Sequence, residues 1–423
     1  MAVKVLFFKG EDLSDWRYST DQNGQVTLYE YTGTNKFITI PNEQKNTVIN
    51  AYNSGDSPSI SNSPFYNNPN VWSLDLKNAP FTNGNMYRAF YNCQNLAVIW
   101  SLNENITNMV GTFVNCYNFN QNIQIPNSVT RISSTFEACH NFNQNIQIPN
   151  SVADVSYTFA YCSNFNQNIQ IPNSVTNMHA TFANCTNFSQ NIQIPDSVRT
   201  MDYTFANCVN FRVPVLITST SLTSMGRTFM GCSNFNQMVT IPSSVTVMTE
   251  TFMNCISLDK PVSLGLAKPT SLFGTFYNCT RFNQSISIPN SVTSMTNTFY
   301  NCISFNQSVT FIAPVKVTSL ARTFYNCTAL RRSLEIPASV TNMYQTFNGA
   351  GLTRSNRINI RSVLVADATE CFNRTGGPNV YITYNSSGST RTRTFNSFVT
   401  AGYLDASGAS TGKDGVTMHD LNA

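Results

Sequence analysis

Charge is what this chain lacks most. Only 11% of its 423 residues are Asp, Glu, Lys or Arg, against roughly 25% in an average soluble domain. The net charge of +4 is too small to predict a nucleic-acid partner, which is held through many Lys and Arg contacts. Histidine is scarce too: His140, His179 and His419 are the three. The sequence contains no G-x-x-x-x-G-K-S/T, no G-x-G-x-x-G followed by an acid, no G-x-S-x-G and no H-E-x-x-H. Phosphate-cradle, dinucleotide, nucleophile-elbow and zincin chemistry thus lose their usual carriers. Carboxylates are sparse in the middle of the chain. Glu137 and Asp154 fall at different phases of it, which argues against a pair flanking a sugar bond. We therefore expect no catalytic residue, no cofactor, no metal site and no enzyme activity. No apolar run is long enough to span a bilayer, so no membrane insertion is expected. The opening MAVKVLFFKGEDLSDW has only a short apolar run before Lys9 and Glu11, too short for a signal-peptide core. From it we expect a protein made in a cytosol and kept there or freed by lysis.

Asn, Gln, Ser and Thr fill the place of charge, and aromatics reach 12%, so the composition is not that of a disordered chain. The order of these residues is more informative. NFNQNIQIPNSV stands at Asn118–Val129, Asn141–Val152 and Asn164–Val175, and NFSQNIQIPDSV at Asn187–Val198, each 23 residues after the last. Around it runs a wider marker, T-F-x-x-C. Its Phe falls at Phe90, Phe113, Phe136, Phe159, Phe182, Phe205, Phe229, Phe252, Phe276, Phe299, Phe324 and Phe347, in steps of 23 to 25, with Ala89 in place of Thr in the first copy. Cys follows three residues later in eleven of these twelve copies, among them Cys116, Cys139, Cys162, Cys185 and Cys208; Ala350 replaces it in the last.

The repeat reads I-x-I-P-x-S-V-T-x-M-x-x-T-F-x-x-C-x-x-F-N-Q-x. I-Q-I alternates and ends at Pro, which predicts a short strand. V-T-x-M is a second extended piece. T-F-x-x-C-x-x-F has apolar residues at i, i+3 and i+6, which predicts a short helical or 3₁₀ turn. A single coil of this kind cannot bury its apolar face, but stacked coils can. We predict a β-rich solenoid of about twelve 23-residue coils over residues 74–350. A cap with a connecting segment precedes it at 1–73, and a cap or anchoring region follows at 351–423. Identical residues then stack roughly 4.7–5 Å apart, giving a rod of roughly 55–60 Å.

In such a stack Phe113, Phe136, Phe159, Phe182 and Phe205 form an interior ladder. Cys116, Cys139, Cys162, Cys185 and Cys208 form another, one thiol per coil, all facing the same way. With no C-x-x-C pair and His140 diverging from its neighbour Cys139, these thiols read as small buried apolar groups rather than redox or metal ligands. The amides of F-N-Q-N and I-P-N suit coil-to-coil ladders and turn corners; as outward rows they would suit a carbohydrate or a protein surface. Between residues 331 and 393, eight Arg stand against Glu335, Asp367 and Glu370. This end is either a solvated surface or a contact for an acidic partner.

The unit resembles the BspA-type leucine-rich repeats of bacterial and protozoan surface proteins. I-P-x-S-V-T, as at Ile125–Thr130, and F-x-x-C-x-x-F carry the likeness. F-N-Q and V-T-N-M resemble the related repeat of mycoplasmal and gut-bacterial surface proteins. YEYTGTNKFITIPN at Tyr29–Asn42 resembles the strand that opens such arrays. The resemblance implies a leucine-rich-repeat solenoid acting as an adhesin or recognition surface, and such proteins are usually exported. Without a signal peptide to export this one, we expect a phage virion protein of tail-fibre, receptor-binding or head-decoration type. Its partners would be other virion proteins or a host surface protein or glycan, with homo-oligomers open. The alternative is a bacterial or protozoan cell-surface adhesin.

Overall fold

The computed structural model describes residues 13–42, 47–50, 63–362, 364–382 and 393–420. Most of the N-terminal stretch read for a signal peptide, and part of the loop-rich stretch before Phe65, lie outside them. The chain divides into two compact units, residues 1–198 and 199–423. Each is a stack of β-solenoid coils of leucine-rich-repeat type, about fifteen coils in all.

The first unit holds strands β1 (Trp16–Thr20), β2 (Val26–Tyr31), β3 (Phe37–Thr39), β4 (Thr47–Ile49), β5 (Ser73–Asp75), β6 (Val98–Trp100) and β7 (Ile192–Ile194). β1 and β2 form an antiparallel hairpin, and β4 lies parallel to β2. β3, β5 and β6 pair in parallel, Ile38 beside Leu74 beside Ile99, so the strand foreseen near Tyr29–Asn42 does open the stack. The second unit holds β8 (Val215–Ile217), β9 (Val239–Thr240), β10 (Val262–Ser263), β11 (Ile286–Ile288), β12 (Val309–Phe311), β13 (Leu334–Ile336), β14 (Arg357–Ile360), β15 (Asn379–Ile382) and β16 (Thr417–Asp420). β9 pairs with β10, β11 with β12, and β13 to β16 form one parallel sheet. Helix α1 (Arg393–Thr400) follows β15.

The V-T-x-M piece adds single parallel bridges, such as Asn85 to Asn108 to Arg131 and Ser271 to Ser294 to Ser319. The T-F-x-x-C corner is not the helical turn its spacing suggests. Met109 O accepts from Thr112 N at 3.1 Å and Phe113 O from Cys116 N at 3.0 Å, with Gly111 and Asn115 left-handed at φ 62° and 61°. These are two successive type II turns. The i, i+3, i+6 pattern fits both structures, but only turns free alternate N–H groups for the neighbouring coil. Met109, Gly111, Phe113 and Asn115 donate to Arg131, Ser133, Thr135 and Glu137 at 2.8–2.9 Å. A helix would have spent those donors within its own coil.

The ring ladder extends past the T-F-x-x-C marker at both ends. Phe65 stacks on Phe90 at 5.5 Å, and Phe372 on Phe347 at 5.4 Å. Neither belongs to a T-F-x-x-C, because Pro64 and Cys371 stand where Thr would be and Asn68 and Thr375 where Cys would be. That is why the sequence count of twelve fell short. An aromatic edge closes each outer face. Trp16 meets Phe65 at 5.8 Å and 89°, while Tyr403 meets Phe372 at 5.8 Å and 84°. Phe398 of α1 meets Tyr403 at 6.1 Å, and Phe395 of the same helix is buried. Ser410 Oγ covers the edge of β16, accepting from Met418 N at 3.1 Å and donating to Val416 O at 3.2 Å. An open strand edge is a template for aggregation, and these side chains occupy it.

Candidate functional site

All the ladder residues named from sequence lie inside. Phe113, Phe136, Phe159, Phe182 and Phe205 have no exposed surface, nor do Cys116, Cys139, Cys162, Cys185 and Cys208. Rings repeat at 5.5–5.7 Å in the first unit. The thiols are free, and each donates to the carbonyl of the Phe one coil back: Cys116 to Phe90 O, Cys139 to Phe113 O and Cys162 to Phe136 O, all at 3.0 Å. Burial pushes Cys93 up to about 12, and Cys116, Cys139, Cys162 and Cys185 also well above the usual thiol value. A thiol that stays protonated is neither nucleophile nor metal ligand. Buried Thr does parallel work: Thr135 Oγ1 lies 2.8 Å from Met109 O and 2.6 Å from Ile132 O. His140 turns away from Cys139, placing Nδ1 2.9 Å from Tyr161 O. Asp154 accepts from Ser133 Oγ at 3.1 Å. Among the described residues no three His, Cys, Asp or Glu side chains are grouped to hold a metal, and no helix is long and apolar enough to cross a membrane.

Amide rows run up the outside. Asn141 Nδ2 donates to Asn118 Oδ1 and Asn164 Nδ2 to Asn141 Oδ1, both at 3.2 Å. The Asn of F-N-Q accepts twice: Asn143 Oδ1 takes Asn166 N at 2.9 Å and Gln167 Nε2 at 3.0 Å. The I-P-N asparagines Asn127, Asn150 and Asn173 stay exposed. There the following Ser does the joining, as Ser128 Oγ does to Ile106 O at 2.6 Å.

Chemistry for recognition appears where the repeat breaks. Leu96-Ala97-Val98 replaces F-N-Q, so Gln121 finds no Asn one coil back. Its amide instead pairs with Ile99, Oε1 at 2.6 Å from N and Nε2 at 2.8 Å from O. This caps β6 and leaves a groove of about 950 Å³ lined by Trp100, Glu104, Gln121, Gln124 and Gln147. Trp100 is 52% exposed. In the second unit a cleft of about 660 Å³ separates β12 from β13, with Thr310, Glu335 and Arg361 in its wall.

The turn face is the third exposed region. Eleven of the 18 tyrosines stand within four residues of a ladder Phe: Tyr66, Tyr87, Tyr91, Tyr117, Tyr157 and Tyr161 in the first unit, and Tyr203, Tyr277, Tyr300, Tyr325 and Tyr344 in the second. Tyr277, Tyr300 and Tyr325 stack at 4.6 Å. Sequence reasoning passed over this clustering, although the spacing from each Phe would have revealed it. Of the arginines between 331 and 393, Arg361 pairs with Glu335 at 2.8 Å, Arg357 lies 3.8 Å over Tyr381 and Arg374 lies over Tyr325. Arg391 and the Arg393 side chain fall outside the described residues.

A family model described as "Mycoplasma protein of unknown function, DUF285" matches residues 84–194 and 246–360, together more than half of the chain. The chain belongs to this family. A model of the BspA type leucine-rich repeat region matches residues 155–263 of this DUF285 chain, bridging the interval between the two blocks. No curated protein sequence matches it. Among solved structures, a leucine-rich repeat protein from Bacteroides ovatus is 19% identical with a TM-score of 0.67, covering 97% of this chain and 99% of that one. A leucine rich cell surface protein from Faecalibacterium prausnitzii is 20% identical with a TM-score of 0.42, covering 90% and 96%. At 19% identity the Bacteroides likeness is one of fold. The stacked tyrosines of the second unit fall inside the second DUF285 block, whereas α1 and β16 lie beyond it.

Proposed function

We propose that this DUF285 protein is a non-enzymatic recognition scaffold working at an outer surface. The carrying observation is the division of labour within each coil. The reactive groups, thiols and buried hydroxyls, are consumed by stacking, while the repeat-breaking residues on the outside offer a groove, amides, tyrosines and guanidiniums. These bind; they do not form a charge-relay or a metal centre. The setting we favour is a phage particle, as a tail-fibre, receptor-binding or head-decoration component. Its partners would be other virion proteins or a host surface protein or glycan. Twelve buried free thiols support that setting, because a chain folding in a reducing cytosol keeps them unpaired. The second reading is a cell-surface adhesin, which the BspA-type repeat match favours.

Mass spectrometry of density-purified particles against protease-shaved cell envelopes separates the two. Peptides of this chain in intact particles support the first and peptides shaved from whole cells the second. Confinement to the soluble cytosol would sink the surface reading in both forms.

A further inference from the structure

The left-handed positions of the turn face carry residues that a corner alone would not select. Asn or Gly adopts this conformation at least cost, and Asn115, Asn184 and Asn278 do so. Yet Tyr161 and Arg374 at that same corner, two residues after the ladder Phe, and Tyr157, Tyr203, Arg227 and Arg322 at the corner two residues before it, hold φ between 52° and 61°. Bulky side chains kept in a strained conformation point to use.

The second unit shows what that use is. The Tyr277, Tyr300 and Tyr325 rings are nearly parallel, at 4° and 1°. Alongside, Asn278, Asn301 and Asn326 form an amide row, each linked to the last at 2.6 Å. At the next corner Gly349, φ 72°, has no side chain. Through that gap Arg374 reaches back two coils, its Nη2 3.3 Å from Tyr325 Oη and its Nε 3.1 Å from Asn348 Oδ1. A Cβ at Gly349 would come within 3.1 Å of Arg374 Nη2. Arg322 is held on the same face by Gln345 at 2.7 Å and Tyr344 at 3.4 Å. Among the described residues neither Arg322 nor Arg374 is in an ion pair. The carboxylate of Glu370 is turned to amides instead, Gln345 Nε2 at 2.5 Å and Asn348 Nδ2 at 3.4 Å.

Of the five N–H donors of a guanidinium, those of Arg374 not facing Tyr325 and Asn348 remain for a ligand. They keep the planar fork that matches a carboxylate. The stacked rings cover one another's faces, so they offer no platform for a sugar ring. What they show are edges and hydroxyls. The amides have spare donors and acceptors that suit a main chain.

We infer that this strip binds an acidic polypeptide segment, with Arg374 taking a carboxylate and the Tyr277–Tyr325 hydroxyls and Asn278–Asn326 amides lying along the chain. The inference rests on the reading of the protein as a recognition scaffold and names the class of partner for one face. Tyr and Arg are the residues most enriched at binding hot spots.

Fluorescence anisotropy of a fluorescein-labelled oligoglutamate peptide, titrated with the full chain at low salt, tests it. Saturable binding is expected, weakened about tenfold by Arg374→Gln. Arg374→Lys should fall between, since ammonium keeps charge but not the fork. Tyr300→Phe should weaken binding about threefold, and Arg357→Gln, on a different face, should stay within about twofold. Thermal unfolding of each variant confirms that the stack is intact. Absence of saturable binding, an equal loss in Arg357→Gln, or stronger competition by polygalacturonate than by unlabelled peptide would each overturn the inference. Detection of the protein at an outer surface would survive any of these results, so the two readings fail separately.

Discussion

The two units are alike in their interiors and differ in their surfaces. Ladder rings repeat at 5.5–5.7 Å in the first and at 5.4–5.6 Å in the second. Thiols donate to the preceding Phe carbonyl in both, Cys185 at 2.9 Å and Cys302 at 3.0 Å. Outside, the first unit repeats one twelve-residue sentence and joins its coils by amides. The second varies the sentence and adds to its amide rows a stacked Tyr column and the pairs Arg227 to Glu250 and Arg361 to Glu335. A stack therefore constrains inward positions tightly, because each must fit an identical neighbour. It leaves outward positions free to acquire specificity.

The strongest way to break this comparison is through the rings. Phe182→Ala and Phe299→Ala should each cost about 3–5 kcal/mol, seen as equal losses in the denaturant midpoint. A clear inequality would mean that the two interiors are not equivalent. A smaller difference should separate the amide rows. Asn143→Ala removes an acceptor of two bonds and should cost about 1–2 kcal/mol. Asn283→Ala in the second unit removes an acceptor of Asn306 N alone and should cost about half as much. Corner strain gives an effect of opposite sign: Tyr161, φ 61° and 48% exposed, replaced by Asn should raise stability by up to about 1 kcal/mol. No gain in melting temperature would refute strain at that corner. Smallest of all, Arg361→Gln should change stability by no more than about 1 kcal/mol, since both partners of that ion pair are more than half exposed.

The thiols give a test common to both units. Burial pushes the Cys93 thiol up to about 12 in the folded protein against an ordinary 9.0. Above pH 9 the unfolded chain loses protons that the folded chain keeps. The stabilising contribution is thus complete below about pH 9 and is lost as pH rises through the folded values. Thiol-reagent labelling at pH 8 should be slow in native protein and fast in denaturant. Rapid labelling of most cysteines without denaturant would contradict the buried ladder.

Much of this was legible in the chain. The T-F-x-x-C marker located Phe113, Phe182 and Cys139 as interior, because a fixed period leaves identical side chains no choice but to stack. F-N-Q announced amide ladders for the same reason. The turn type was not legible, since i, i+3, i+6 serves a helix and a pair of type II turns alike, and only the route of the Met109 to Asn115 N–H groups separates them. Phe65 and Phe372 were hidden because Pro64 with Asn68, and Cys371 with Thr375, remove both the Thr and the Cys of the marker while the ring keeps its place. The groove at Trp100 was hidden as well. It depends on Gln121 turning to a backbone that the repeat elsewhere covers with Asn.

By itself, then, the sequence determined the period, the inward ladders and the coil as the unit of folding, because repetition at fixed spacing dictates which atoms meet. Only the tertiary structure decided which outward residues converge. Arg374 reaches Tyr325, 49 positions away in the chain, because stacking aligns the corners of successive coils and Gly349, in the coil between them, leaves the way open.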